Sequence, residues 1–252
     1  MRQKNYNFYH NLGYWFLLLI VLVFAGFYTT YFSVFFQPTA TIIHIHFTLM
    51  VVWIAMLIAQ PFLIKFKKLF LHRALGKISY VLVPLVLLSG FLMIRHSYYL
   101  LIENLRQKAA QGLNQLDSHQ ILQEAAYYEA IAIFYLTWFA LFYSLAIINR
   151  RKSAIHARFM LATALPLLGP TVDRIVIFNF KLPSYLPYEL PSFLLIDTIL
   201  VLLLWHDYQN KRSTKTIKLS LIIYLTGQLL YFIVPHTEWW QQVVTFIMKP
   251  EP

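Results

Sequence analysis

Long apolar stretches alternate with short polar segments along most of the 252-residue chain. A helix needs about 20 mainly apolar residues to cross the hydrocarbon core of a bilayer. Seven stretches meet this requirement, the sixth only with help from its flanks, and none shows the strict alternation of a membrane β-strand. They are about Tyr14–Phe36, Ile42–Ile64, Ala74–Ile94, Tyr127–Ile148, Ile155–Phe178, Leu190–Trp205 and Ile217–Val234. The pattern predicts an all-α, polytopic transmembrane helix bundle of seven spans, forming a single domain over residues 1–252.

The composition supports this interpretation. Hydrophobic residues make up 59% of the chain and charged residues 12%, and there is no Cys. Soluble domains have about 45–50% apolar and roughly 25% charged residues, so this chain has too few charges to cover a globule. The composition therefore excludes soluble, disordered and disulfide-stabilised proteins. The lack of Cys also excludes iron–sulfur ligation and thiol redox chemistry.

The basic residues predict an orientation. The net charge of +11 can suggest nucleic acid, but the basic residues cluster at the ends of apolar stretches. Fifteen of the 21 lie before the first span or around the loops that follow spans two, four and six. Because such loops favour the cytoplasm, we expect a cytoplasmic N-terminus and an external C-terminus. The sequence thus predicts a multi-pass protein of the cell inner (cytoplasmic) membrane, with the lipid bilayer and no nucleic acid as partner.

The segment between spans three and four, about residues 97–126, is the largest polar connection. Its apolar residues recur at helical spacing, which predicts two amphipathic helices. These residues are Leu101, Leu105, Leu113, Leu116, Ile121 and Leu122. We expect a break near Gly112 and a new start with Asp117 or Ser118 as the N-cap. The interpretation is an external helical hairpin that extends the two spans, with a partner-docking cap as the alternative.

Ionisable residues near apolar stretches are the candidates for function, because charge is costly in a bilayer. His46 and Met50 lie one turn apart near the start of span two, and His96 ends span three. Imidazole and thioether groups are ligands that copper accepts, so these three residues form a candidate metal site. The alternative is an ordinary interface histidine bonded to water or lipid headgroups.

A second histidine layer lies at the predicted inner edge. His72 opens span three and His156 opens span five, each followed closely by an arginine. Imidazoles on two helices at one depth suit bis-histidine ligation of haem b, and arginines suit its propionates. Gly76, one turn after His72, would allow a flat ring to approach. The candidate cofactor-binding residues are His72, His156, Arg73, Arg158 and, as a reserve ligand, His206. Another metal, or simple anchoring to lipid phosphate, explains the same residues.

Span five carries a third candidate site. Pro166, Gly169 and Pro170 interrupt it, and Asp173 and Arg174 follow at once. Proline removes helix hydrogen bonds, so a neighbour, water or a ligand must meet the freed carbonyls. The candidate residues for a proton or substrate are Asp173, Arg174 and Asp197. The structural alternative is an ion pair of either aspartate with Arg174 or Arg95.

Short motifs carry a family resemblance over roughly spans two to five. The stretch runs His46-Phe-Thr-Leu-Met50-Val-Val-Trp53, then Gln60-Pro-Phe-Leu, His72-Arg-Ala-Leu-Gly76-Lys-Ile and His156-Ala-Arg158. It resembles a group of uncharacterised multi-pass bacterial membrane proteins in which one span begins His-Arg-x-x-Gly. More distantly, the layout is similar to ascorbate-type di-haem membrane cytochromes. That similarity implies one haem ligand pair on spans three and five, matched by His72 and His156.

The same resemblance implies a second pair on spans two and four. Span two offers His46, but the fourth span contains no His, which leaves His96 as the substitute. Three functions stay open at this point. They are a haem protein that moves electrons between quinol (or quinone) and a membrane redox partner, a copper-handling or oxidase-assembly factor, and an ion-coupled small-molecule transporter. The sequence does not decide whether the chain is an enzyme.

Overall fold

The computed structural model describes residues 8–180, 182–183 and 186–249, and within them every regular element is helical, with no strand. Seven helices in these residues are long and apolar enough to cross a membrane. They span Leu12–Phe32, Thr41–Lys65, Leu69–Ala110, Ser118–Ile148, Ser153–Asn179, Leu190–Gln209 and Lys215–His236. The predicted all-α bundle of seven spans is confirmed. The chain is an integral membrane protein that contacts the lipid bilayer.

Several spans consist of more than one helical piece. The α-helices are α1 (Leu12–Phe27), α2 (Thr41–Lys65), α3 (Leu69–Ala110), α4 (Ser118–Tyr128), α5 (Ala130–Ile148), α6 (Ser153–Ala162), α7 (Leu168–Asn179), α8 (Leu190–Gln209), α9 (Lys215–Ile233) and α10 (Glu238–Met248). A π-helical turn, Tyr28–Phe32, prolongs α1, and short 3₁₀ turns cover Phe8–Asn11, Leu165–Leu167 and Val234–His236. Span four is therefore α4 plus α5, and span five is α6 plus α7.

Span five lies at the centre of the bundle. Two thirds of its most apolar window (67%) is buried inside the protein, against 17–39% for the other six spans. The helices α5 and α9 pack against α6, while α1 and α8 pack against α7. A helix surrounded by protein can tolerate an irregular backbone at membrane depth, whereas a lipid-exposed one cannot. The interrupted span is thus the one with the most protein around it.

The two ends of the bundle differ in character. We call one the basic end, because the loops α2–α3, α5–α6 and α8–α9 lie there and, together with the helix turns that flank them, carry most of the basic residues. The opposite end is the hairpin end, where α3 and α4 meet. The orientation of these ends relative to the cytoplasm stays a prediction from the loop charges.

The helix α3 is far longer than the predicted third span. It runs without interruption for 42 residues, or about 63 Å at 1.5 Å per residue, and passes through the polar segment after Ile94. It ends at Ala110, and Gly112 follows two residues later with a φ of 70°, which suits glycine. Asp117 then caps α4, accepting a hydrogen bond of 2.8 Å from the backbone N–H of Gln120. The predicted break near Gly112 and the predicted cap at Asp117 are confirmed.

The helix α10 completes the hairpin end, and the apolar pattern predicts no element there. It packs against α4, where the indole N–H of Trp240 donates 2.9 Å to the carbonyl of Ala126. The hydroxyl of Tyr99 on α3 donates 2.6 Å to the carbonyl of Met248. With only 11 residues, α10 is too short to span a bilayer, so a search for spans overlooks it.

Candidate functional site

The break in span five is closed by a neighbouring helix. Pro166 has no N–H, so the carbonyl of Ala162, four residues earlier, loses its helical donor. The hydroxyl of Tyr224 on α9 donates to that carbonyl at 2.9 Å and is fully buried. The freed carbonyl is therefore met by protein, as the sequence requires of an interrupted span. The break leaves the two halves of span five in separate surroundings.

In the half of span five toward the hairpin end, Asp173 is 5% exposed. One of its carboxyl oxygens, Oδ2, accepts a hydrogen bond of 2.9 Å from the hydroxyl of Tyr135 on α5. That hydroxyl also lies 3.2 Å from the hydroxyl of Ser192 on α8. Gly169 makes the approach possible, because a Cβ there would overlap the ring carbon Cζ of Tyr135. The glycine of the interrupted segment thus allows a tyrosine to reach the buried acid.

A second buried carboxyl continues this arrangement. Glu189 is 2% exposed, and its Oε1 accepts 2.5 Å from the hydroxyl of Tyr231 on α9. Its backbone carbonyl accepts 2.8 Å from the hydroxyl of Ser192. We call Asp173, Tyr135, Ser192, Glu189 and Tyr231 the carboxyl–hydroxyl network. Among the described residues, the Oδ1 atom of Asp173 has no hydrogen-bond partner, although it is buried.

The surroundings of Glu189 also affect the loop before α8. Burial, followed by the nearby charge of Glu189, raises the pKa of Tyr188 above its ordinary value. The phenol therefore stays protonated beside the carboxyl. Sequence reasoning missed Glu189 and the tyrosines, because hydropathy treats tyrosine as one more aromatic residue.

The predicted ion pairs with Arg174 do not form among the described residues. The guanidinium of Arg174 donates 2.9 Å to the carbonyl of Pro170 and lies 4.4 Å from the ring centre of Phe27. Asp173 precedes it directly, and adjacent side chains on a helix do not face each other. The Oδ1 atom of Asp197 instead accepts 3.1 Å from the amide of Gln228 on α9. An uncharged donor replaces the expected arginine.

In the half of span five toward the basic end, Arg158 forms an ion pair with Asp207 on α8. The two atoms Nε and Oδ2 lie 2.7 Å apart, and the residues are 5% and 0% exposed. The guanidinium also donates 2.8 Å to the carbonyl of Ala154. The residue that sequence reasoning assigned to a haem propionate is thus already occupied by a carboxylate.

Tyr9 and His206 complete the surroundings of Asp207. The hydroxyl of Tyr9 donates 2.9 Å to Oδ2 of Asp207, and its ring lies 4.8 Å from the guanidinium carbon of Arg158. Burial raises the pKa of Tyr9 above its ordinary value, so the phenol keeps the proton that it donates. The Nδ1 atom of His206 lies 3.7 Å from Oδ1 of Asp207. The sequence could have indicated a role for Asp207, because it is the only acidic residue among the clusters of basic residues.

The structure brings His72 and His156 into electrostatic range of each other. Each is the fourth residue of its helix, α3 and α6, and both helices pack against α5. The Nδ1 atom of His156 lies 2.8 Å from the carbonyl of Ala146. A carbonyl only accepts hydrogen bonds, so Nδ1 carries the proton and Nε2 is left as an acceptor or a ligand.

Two buried polar atoms beside His72 have no hydrogen-bond partner among the described residues. They are the Nδ1 atom of His72 and the Oε1 atom of Gln60 on α2. The amide of Gln60 donates 3.2 Å to the backbone carbonyl of His72, and a Cβ on Gly76 would meet that amide only at 3.9 Å. Buried atoms without partners call for an explanation such as water or a ligand. Arg73 is exposed at the same end.

The predicted metal residues near the hairpin end have different neighbours. His46 lies 3.0 Å from the hydroxyl of Ser89 through Nδ1, and its ring packs on Gly90. Met50 packs against the apolar core. His96 lines a surface groove beside Arg95. Within residues 8–180, 182–183 and 186–249, no three His, Cys, Asp or Glu side chains are grouped closely enough to hold a metal ion.

No protein-family model matches this chain, and no curated protein or solved structure matches it significantly. What the fold defines is a class, the integral membrane proteins with seven helical spans. Any finer function has to be argued from the residues themselves.

Proposed function

We propose that the protein is a membrane redox protein that binds a b-type haem between His72 and His156 and exchanges electrons with a quinol and a redox partner. The observation that carries this proposal is the hydrogen bond from Nδ1 of His156 to the carbonyl of Ala146. Histidines that bind metals commonly donate their other ring N–H to a carbonyl or carboxylate, which fixes the tautomer and the ring orientation.

The number of available ligands favours haem over a bare metal ion. Protein sites for ions such as Zn²⁺ use three or four side-chain ligands, whereas a haem iron needs at most two from the protein. His72 and His156 each supply an imidazole at the fourth residue of a helix, and His72 has a buried ring nitrogen without a described partner. The donor set at the basic end therefore suits haem.

The surrounding residues divide the remaining tasks. A bound haem would supply reversible one-electron chemistry. Arg73 is exposed and suits a propionate, whereas Arg158 is already paired with Asp207. His206, the reserve ligand from the sequence, lies beside Asp207 and Tyr9. Gln60 would hold the backbone of His72 in place through its amide.

The test is the absorption spectrum of the purified full chain, produced in haem-replete cells. We expect a Soret band with sharp α and β bands after reduction, lost in both His72→Ala and His156→Ala. His119→Ala is the matched control, because His119 is exposed on α4 and should not change the spectrum. Wild-type protein that stays colourless after incubation with haemin would disprove the proposal.

A second function, proton-coupled transport, is favoured by a different observation. Asp173 is buried beside an interrupted helix, and its Oδ1 atom has no partner in the described residues. Interrupted helices with buried acids often form ion sites in transporters. The hydroxyls of Tyr135 and Ser192 continue from this acid toward Glu189. Such a network suits a carboxyl that takes up and releases a proton.

Vesicles containing the purified protein and an internal pH-sensitive dye test this second function. Under an imposed membrane potential, wild type should change the internal pH faster than protein-free vesicles, and Asp173→Asn should abolish the difference. Asp197→Asn is the matched control, since Asp197 lies outside the network and is bonded to Gln228. Equal rates with and without wild-type protein would exclude proton movement.

A further inference from the structure

A groove of about 560 Å³ opens on the surface near the hairpin end. It lies between the first turn of α2 and the middle of α3. Its lining combines two cationic or basic side chains with apolar and aromatic ones. The lining residues are Ile42, Leu92, Arg95, His96 and Tyr99. Neither the proposed haem site nor the carboxyl–hydroxyl network includes any of them.

The two basic side chains of the groove have no polar partner in the described part of the chain. Arg95 and His96 are half-buried, and neither forms a hydrogen bond or an ion pair with another described residue. Arg95 only approaches the ring of Tyr99, at 6.0 Å from its centre. A guanidinium held in a concave site without a carboxylate is well suited to an oxyanion, since its donors match a phosphate.

The end of α2 adds to the positive potential of the groove. Ile42 is the second residue of this 25-residue helix, whose N-cap, Ala40, offers no side-chain cap. Its first turn also contains no acidic residue. The positive end of the helix dipole therefore meets no negative group of its own helix. The groove thus presents an arginine, a histidine and an uncapped helix start to one volume.

The level of the groove points to the lipid headgroups. Arg95 lies 22 residues after Arg73 on α3, which is about 33 Å along the helix axis. The hydrocarbon core of a bilayer is about 30 Å thick, so the two arginines fall near its opposite edges. Below the charges, Ile42 and Leu92 provide an apolar wall, as an acyl chain would require.

From this geometry we propose that the groove between α2 and α3 binds an anionic phospholipid, with its headgroup phosphate on Arg95 and His96 and an acyl chain along Ile42 and Leu92. A free phosphate ion would satisfy the charges but would leave the apolar wall without a partner. The acyl chains of a neutral lipid would pack against the apolar wall, but its headgroup would compensate the positive charge of the groove less well. The site therefore selects a molecule with both properties.

Native mass spectrometry of the detergent-purified full chain, titrated with phosphatidylglycerol, tests the proposal. We expect wild type to bind phosphatidylglycerol about tenfold more tightly than phosphatidylcholine, which corresponds to one charge-assisted contact. Arg95→Gln combined with His96→Gln should remove this preference. Arg106→Gln is the matched control, because Arg106 is an exposed arginine on the same helix outside the groove.

Two further arms keep the result decisive. Arg95→Lys retains the positive charge and should retain most of the preference, even if the double variant proves unstable. Excess inorganic phosphate should not displace the lipid, because it lacks the acyl chain. Displacement by phosphate, or equal losses in the Arg95→Gln/His96→Gln and Arg106→Gln variants, would overturn the proposal.

Discussion

The two halves of span five solve the problem of a buried charged group in opposite ways. Toward the basic end, Arg158 is neutralised by the carboxylate of Asp207 at 2.7 Å. Toward the hairpin end, Asp173 has an arginine as its direct neighbour in sequence, yet the hydroxyl of Tyr135 is its donor. The guanidinium of Arg174 instead packs over the ring of Phe27.

This difference shows which half is built to stay fixed. A buried ion pair loses much stability when one partner changes, so it holds its charge state. A carboxyl bonded to hydroxyls can remain in place with or without a proton, since hydroxyls both donate and accept. The basic-end half of span five therefore contains a fixed ion pair, Arg158–Asp207. The hairpin-end half contains a carboxyl group, Asp173, whose surroundings suit both of its protonation states.

The largest expected effect on stability comes from breaking the ion pair between Arg158 and Asp207. Asp207→Ala leaves the guanidinium of Arg158 buried without a counter-charge, and we expect a loss of about 3–5 kcal/mol in the free energy of unfolding. Denaturant titration of the purified protein, followed by circular dichroism, measures it. Arg158→Met combined with Asp207→Leu should recover most of the loss. Wild-type stability in Asp207→Ala would show that the pair contributes little.

The next largest effect should come from filling the space under Tyr135. In Gly169→Ala the new methyl group overlaps the ring of Tyr135, so that the ring must move away from Asp173. We expect a cost of about 1–3 kcal/mol, as for other overpacked cores. Gly76→Ala is the control, because its methyl group would have ordinary contacts only. Similar melting temperatures for the two variants would contradict the close packing of Tyr135.

Removing only the hydroxyl should have a smaller effect. Tyr135→Phe leaves Oδ2 of Asp173 without its tyrosine donor, and we expect a loss of about 1–2 kcal/mol. Tyr143→Phe is the matched control, because it also removes a tyrosine hydroxyl bonded to a serine, but that serine, Ser79, would still donate to the carbonyl of Gly76. This control variant should lose less than about 0.5 kcal/mol in the free energy of unfolding. The same denaturant titration compares them. If Tyr143→Phe were the more damaging change, the importance of the Asp173 contact would be refuted.

The smallest effect is expected outside span five. Asp197→Asn retains an oxygen that accepts from Gln228, so the free energy of unfolding should change by less than about 0.5 kcal/mol. Thermal unfolding of the two proteins side by side measures the difference. A loss above 1.5 kcal/mol, roughly that of a charged hydrogen bond, would mean that the charge itself matters there.

The fold was predictable to the extent that the membrane imposes it. Apolar length identifies a span because every lipid-exposed backbone group must be bonded within its own helix. Apolar length does not reveal the continuation of α3 to Ala110 or the helix α10, because both are amphipathic. For α3, the helical spacing of Leu101 and Leu105 predicted a helix instead. Both segments pack on α4, and the hydrogen bond from Tyr99 to Met248 joins them to each other.

The sites were predictable only in part. His72 and His156 were expected at one depth because of their distance to the preceding loops; each is the fourth residue of its helix, and the two side chains interact electrostatically. The partners of Arg158, Asp173 and Asp197 could not be predicted, because each comes from another helix many residues away. Sequence spacing orders residues along one helix but does not say which faces of two helices meet.

The length of α3 has a mechanical consequence. A helix of about 63 Å is long enough to cross the bilayer and to project well beyond it, even though Pro84 removes one hydrogen bond from its interior. If α3 tilts as one body by about 5° around its basic end, its tip moves by roughly 5 Å, a displacement as large as one helical turn. Because Tyr99 ties α10 to α3, the whole hairpin end would travel with it. A small tilt at His72 would thus be amplified into a large signal on the opposite side of the membrane.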